Sequence, residues 1–227
     1  MGELGKPLVA LCAAALLACS GDTPSHRVIS VSAATTHVAQ ALGLGAELES
    51  LDPTDPNALE AAMTSRANLV ISDSSLASAQ IRAAFAARSV AVRVFSPAST
   101  ADVLTAYTEI ATVLGRPKAA AALIDKINRE VAAHPVERAG GGPVHVALIV
   151  SKAPLRVVGG DAFLTRLLHG AGVETAFAAQ PGVAVAIRRE QLDAQKPDKV
   201  LELAPGTLER TWVEPVETVN GVLDALK

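Results

Sequence analysis

The side chains best equipped for chemistry are few and far apart. His37, Asp73 and His169 are of metal-ligating types, neutral imidazole and carboxylate. Asp161 is a fourth, weaker candidate. No pair of them is spaced like His-x-x-x-His, so local geometry does not bring them together, and a partly exposed structural histidine is the commoner use of a residue such as His37. Hydroxyls stand beside two of these groups, in Thr35-Thr36-His37 and Asp73-Ser74. Gly159-Gly160-Asp161 combines a carboxylate with glycines that permit close backbone approach or positive φ. Thr36 and Asp161 also suit helix caps, which require no ligand. Arg188, next to Arg189, can neutralise a carboxylate or phosphate, and a solvated arginine pair is equally consistent. Trp212, the sole tryptophan, suits a cleft wall, although core and interface positions are its more common uses. The chain has no Gly-x-Ser-x-Gly elbow, phosphate-binding P-loop or Gly-x-Gly-x-x-Gly fingerprint. Binding without turnover is therefore expected, with no catalytic residue and no permanently bound cofactor.

Elements with a regular pattern must position these groups. Apolar, β-branched runs at Arg27–Val31, Asn68–Ser72, Val90–Phe95, Val144–Val150, Leu155–Val158 and Lys199–Leu203 read as strands. Helical windows lie between them at Thr36–Leu42, Pro56–Ser65, Leu76–Arg88, Asp161–His169, Arg189–Gln195 and Pro215–Leu226. Such alternation implies βαβ units, parallel sheets and an α/β protein. In the middle, Val103, Tyr107, Ile110 and Leu114 share one helical stripe, Gly115-Arg116-Pro117 interrupts, and Ala120, Leu123, Ile127 and Val131 form another. The organisation expected is an N-terminal α/β lobe at 27–114, a bridging helix and loop at 115–142, and a C-terminal α/β lobe at 143–227. Thr35, Thr36, His37, Asp73, Ser74, Gly159, Gly160 and Asp161 then fall at strand-to-helix junctions, where open α/β sheets bind ligands.

The amino terminus predicts export. Lys6 precedes an apolar run, Pro7 to Ala18, too short to span a bilayer and suited to a signal-peptide core. It ends in Leu16-Leu17-Ala18-Cys19, which resembles a bacterial lipobox. Residues 1–18 are thus expected to be a lipoprotein signal peptide, Cys19 the acylated first residue, and 19–26 a tether. The other cysteine, Cys12, lies in the removed segment, so Cys19 has no disulfide partner and acylation explains it. Half the residues are apolar but only 3% are aromatic, which leaves Ala, Val and Leu to build the core. A net charge of −3 without a basic block argues against nucleic acid as a partner.

One family unites these features. Arg27–Val31 with Ala34–His37 and Ala41–Gly45, Asn57–Glu60 through Asn68–Ile71, Leu155–Leu164 with Leu167–Gly172, and Arg189–Leu192 through Pro197–Val200 resemble, in that order, the cobalamin-, haem- and siderophore-binding proteins of ABC importers. The resemblance implies two Rossmann-like lobes with parallel sheets, bridged by a long α-helix, and a ligand cleft between the lobes. It implies an extracytoplasmic, monomeric receptor, lipid-anchored to a bacterial membrane, that delivers a small-molecule metal chelate to a permease dimer. It also implies that Glu60 and Glu190, each followed after a tight turn by a strand, dock one lobe apiece on that permease; as isolated residues they equally suit solvated helix glutamates. The chain departs from the family pattern in its short Leu51–Pro56 segment, in Asn68 where Asp is preferred, and in His37 where Glu is frequent. A receptor for a bare divalent metal is the alternative, and an extracytoplasmic enzyme a distant one.

Overall fold

The structure is a computed structural model that describes residues 28–43, 48–50, 60, 64, 67–73, 79–95, 97, 99–136 and 141–226. The expected signal peptide, tether, Cys19 and Ser74 lie outside the described residues, as does Leu51–Pro56.

The first sheet is wholly parallel. Its strands β1 (Val28–Ser30), β2 (Leu48–Ser50), β3 (Leu69–Asp73) and β4 (Ala91–Phe95) lie in the order β2-β1-β3-β4. Alternate residues face opposite sides, as strand geometry requires. Val28, Leu69 and Ile71 join the main core, whereas Ile29, Val31 and Val70 join Phe85 of α2 (Ala79–Ala86) in an outer cluster. Helix α1 (Ala33–Ala41) begins at Ser32, whose side chain accepts from the Thr35 N–H.

The second sheet corrects one expectation, because it is mixed and not wholly parallel. Strand β5 (Val144–Lys152) pairs in parallel with β7 (Val173–Thr175) and β9 (Lys199–Glu202), but antiparallel with β6 (Leu155–Val158), which pairs antiparallel with β8 (Ala184–Ala186). The reason is chain length. Only Ala153 and Pro154 separate β5 from β6, and two residues allow a hairpin but no parallel crossover. Val146 pairs with both Thr175 and Lys199, and Ile149 with both Val157 and Glu202. Strand β9 therefore lies on one side of β5, with β7 and β6 following one another along the other.

Two helices occupy the middle of the chain. Helix α3 (Thr100–Val113) starts with a capping box in which Ser99 and Asp102 satisfy each other's backbone N–H. Gly115, at φ +70°, turns the chain into α4 (Pro117–Ala132), which has proline in its first turn. The two pack together; α3 also touches α1 and α5 (Phe163–Gly170), and α4 touches α5 and α8 (Pro215–Leu226). Apolar residues of the two sheets and of both middle helices form one continuous cluster, including Val28, Leu69, Tyr107, Ile110, Ile127, Val131, Val146, Leu148 and Leu223. Burying each large aliphatic side chain contributes about 1.5–3 kcal/mol relative to exposure. Two short helices complete the second half, α6 (Arg189–Ala194) and α7 (Thr207–Arg210). Among the described residues, no helix is long and apolar enough to cross a membrane.

Candidate ligand cleft

A cleft of about 470 Å³ opens at the carboxyl ends of the first sheet's strands. Its first wall is made of Ala33, Ala34 and His37 from α1, Asp73 at the end of β3, Phe95 at the end of β4, and Pro97. The opposite wall comes from α7 and the turn after it, as Glu209, Arg210, Trp212, Val213 and Glu214. This is where an open α/β sheet leaves room for a ligand, since the helices that cover its faces begin beyond the strand ends.

Hydroxyl groups fix the first wall from beneath. Ser30, Ser32 and Thr35 are buried and bond to one another, with Ser30 Oγ and Ser32 Oγ each 2.7 Å from Thr35 Oγ1. Three buried hydroxyls satisfied among themselves avoid the cost of unpaired polar groups. They tie the end of β1 to the first turn of α1, which leaves His37 exposed on the helix above. The second wall is held through Trp212. Tyr107, buried in α3, donates its hydroxyl to the Trp212 carbonyl at 2.5 Å and meets Phe163 edge-to-face at 6.5 Å. Burial pushes the Tyr107 phenol well above its ordinary value of 10.0. At the two ends of α7, Thr211 Oγ1 donates to the Thr207 carbonyl and Thr207 Oγ1 to the Ala204 carbonyl.

Of the residues singled out from sequence, the structure brings His37, Asp73 and Trp212 to the cleft. Thr35 is buried in the hydroxyl cluster, and the Thr36 hydroxyl lies 3.0 Å from that of Ser50. Gly159 and Gly160 face a different neighbour: a Cβ added at either would lie 2.3 Å from the Gly182 carbonyl oxygen or 2.0 Å from that of Ala178. Their role is close backbone contact within the second half. Asp161 accepts from the Gly182 N–H through its carboxylate at 2.6 Å. Its carbonyl accepts from the Thr100 N–H at 2.8 Å and the Thr100 hydroxyl at 3.1 Å, which joins this loop to the start of α3. Arg188 is exposed before α6, its N–H donating to Gln191 Oε1. His169 is exposed in the last turn of α5 and is not part of the cleft wall. Among the described residues, no three His, Cys, Asp or Glu side chains are grouped to hold a metal. Glu60 and Glu190 are both exposed on helical backbone.

Sequence reasoning missed Ala33, Ala34, Phe95 and Pro97 on the first wall, and Glu209, Arg210, Val213 and Glu214 on the second. The strand-end rule that pointed to Asp73 would also have pointed beyond Lys199–Leu203, and so to the second-wall residues.

No family model matches the chain, and no curated protein matches it. Solved structures do. A possible iron-binding, periplasmic solute-binding protein from Staphylococcus epidermidis superimposes with a TM-score of 0.62 at 17% identity, over 88% of this chain and 87% of that one. The chain has the fold of periplasmic solute-binding proteins. The haem-binding protein HutB of Vibrio cholerae matches with a TM-score of 0.57 at 16% identity, over 86% and 85% of the two chains. The siderophore-binding protein FhuD of Vibrio cholerae, solved with Fe3+–Desferal, gives 0.55 at 15% identity, over 84% and 82%. These neighbours are binding proteins, and the shared fold extends over most of each chain.

Proposed function

We propose that this chain is an extracytoplasmic receptor that captures a metal chelate of the cobalamin, haem or siderophore class and delivers it to an ABC import permease. The observation that carries the reading is the cleft itself, formed between the strand ends of one sheet and the segment after the last strand of the other, in a fold shared with periplasmic solute-binding proteins. A chelate supplies the ligands of its own metal. The protein then needs an apolar wall and a few orienting polar groups. Trp212, Phe95 and Pro97 fit the first requirement, and His37, Asp73, Glu209 and Arg210 the second.

In this reading Cys19 carries the lipid that holds the receptor to the membrane, and residues 19–26 form the tether. The parts at 27–114 and 143–227 act as lobes, joined through 115–142, and each meets one subunit of a permease dimer. The protein carries out no catalysis.

Trp212 makes the test direct, since the chain has no other tryptophan. Titration of the processed chain with ferrioxamine B, haemin and aquacobalamin should quench or shift its fluorescence saturably with one of them, and the same compound should raise the melting temperature. No response to any of the three would overturn the chelate reading.

A further inference from the structure

Asp161 engages protein partners with its N–H, its carbonyl and its carboxylate. Its N–H donates to the Gly182 carbonyl at 3.3 Å, and its carboxylate accepts from the Gly182 N–H at 2.6 Å. One residue thus clasps both polar groups of Gly182, in one direction through a charge-assisted bond. Its carbonyl accepts from the N–H and the hydroxyl of Thr100, 61 residues away. Thr100 opens α3, where a backbone N–H has no partner within the helix, so the Asp161 carbonyl caps α3 beside Ser99. The turn that carries Asp161 is itself held. Gly160 donates its N–H to the Gln180 carbonyl at 2.7 Å, and Thr165 Oγ1, buried in α5, donates to the Gly159 carbonyl at 2.7 Å.

Helix α3 is the element that both cleft walls meet. Phe95 and Pro97 of the first wall lead into its first turn. Tyr107 lies on the same face as Thr100, about 10 Å further along the helix axis, and holds Trp212 of the second wall. Asp161 itself does not line the cleft. We infer that Asp161 is a positioning residue for ligand capture: it fixes the start of α3, and through α3 the spacing of the two walls, without touching the ligand. This rests on the receptor reading above and deepens it. What the position requires is an acceptor aimed at the Gly182 N–H, not a charge for the ligand. An amide oxygen can accept that bond and a methyl group cannot. Without it Gly182 keeps an unpaired N–H, and the 159–161 turn no longer holds α3 in one place. A gap of about 0.5–1 Å between ligand and wall forfeits about a quarter to a half of each contact's dispersion energy, so a small shift of α3 weakens binding.

Asp161→Asn and Asp161→Ala, compared with the parent as processed chains, separate positioning from ligand contact and from plain stability. Each is titrated with whichever of ferrioxamine B, haemin and aquacobalamin binds the parent, at a temperature where all three proteins are folded. Asp161→Asn should stay within about threefold of the parent affinity, and Asp161→Ala should lose about tenfold. Amide exchange at Gly182 and Thr100 should quicken in Asp161→Ala and stay near the parental rate in Asp161→Asn. A residue serving stability alone would leave folded Asp161→Ala with the parental affinity, and that result would overturn the inference. Asp161→Asn losing as much affinity as Asp161→Ala would also overturn it, since the charge itself would then be meeting the ligand. Both outcomes leave the receptor function standing. Failure of all three compounds to bind the parent would overturn the receptor function, and the inference with it.

Discussion

The Tyr107 hydroxyl is one of few polar groups in the main core, and it bonds a carbonyl 105 residues further along the chain. Its partner belongs to Trp212, so the contact sets where the second cleft wall stands. Burial raises the phenol's pKa in the folded state, while the unfolded chain titrates near 10.0. A raised folded value means that this stability is intact below pH 10 and declines above it, as the unfolded state ionises first. Once the unfolded phenol has lost its proton and the folded one has not, the slope from this group approaches about 1.4 kcal/mol per pH unit. As the sole tyrosine, it alone produces the tyrosinate absorbance. That absorbance should be missing in the native protein at pH values where a free phenol ionises, and should emerge on unfolding. Tyr107→Phe should remove this part of the alkaline instability. It should also destabilise the neutral protein by about 1–3 kcal/mol, because the Trp212 carbonyl is left without its donor. Trp212 fluorescence should shift in the same variant. Identical alkaline unfolding of the variant and the parent would show that the phenol is not held as described.

At the scale of elements, two glycines give opposite expectations. Gly160 donates its N–H to the Gln180 carbonyl at 2.7 Å, and a Cβ there would collide with the Ala178 backbone. Gly160→Ala must displace the segment before β8 and should cost about 3 kcal/mol. Gly221, exposed within α8, has nothing within 4 Å of an added Cβ. Gly221→Ala should stabilise by about 0.5–1 kcal/mol, since alanine loses less entropy in a helix. Chemical denaturation of both variants measures the contrast, and equal effects would refute it. Close contact of this kind also marks what sequence could and could not reveal. Gly159-Gly160-Asp161 was visible as a special junction, but whether its glycines approach a ligand or another backbone depends on residues 178–182, which no local pattern connects to them. Long runs such as β3, β5 and β9 were legible because apolar periodicity needs several residues to register. Strands β2, β7 and β8 have three residues each and fell below that limit, whereas β1, equally short, lies within the longer run Arg27–Val31. Asp73 and His37 were readable as cleft residues from their place at strand-to-helix junctions. Glu209 and Glu214 were not, because they follow β9 around a four-residue helix with too little periodicity to be recognised.

Over the whole molecule, one local pattern recurs in the two halves, an exposed glutamate at a fixed spacing before a parallel strand. Strand β3 starts at Leu69, nine residues after Glu60, and β9 starts at Lys199, nine residues after Glu190. Each of these strands pairs in parallel with the first strand of its half, β3 with β1 and β9 with β5. A single ligand cleft has no need of such a repeat, and neither glutamate lines it. Under the function proposed above, a receptor landing on two permease subunits needs one contact per half, and we propose that these glutamates supply it. Charge reversal at both positions, Glu60→Arg with Glu190→Arg, should therefore leave chelate affinity of the soluble protein unchanged. Association with the permease and uptake should fall by more than in either single variant, and the loss should depend on ionic strength. Both side chains are exposed, so folding stability should change by no more than about 0.5 kcal/mol. Parallel ligand titration and permease pull-down separate the possibilities. Intact uptake by the double variant would reduce the glutamates to ordinary surface charges, and a collapse in chelate affinity would move them from the docking face into the binding site.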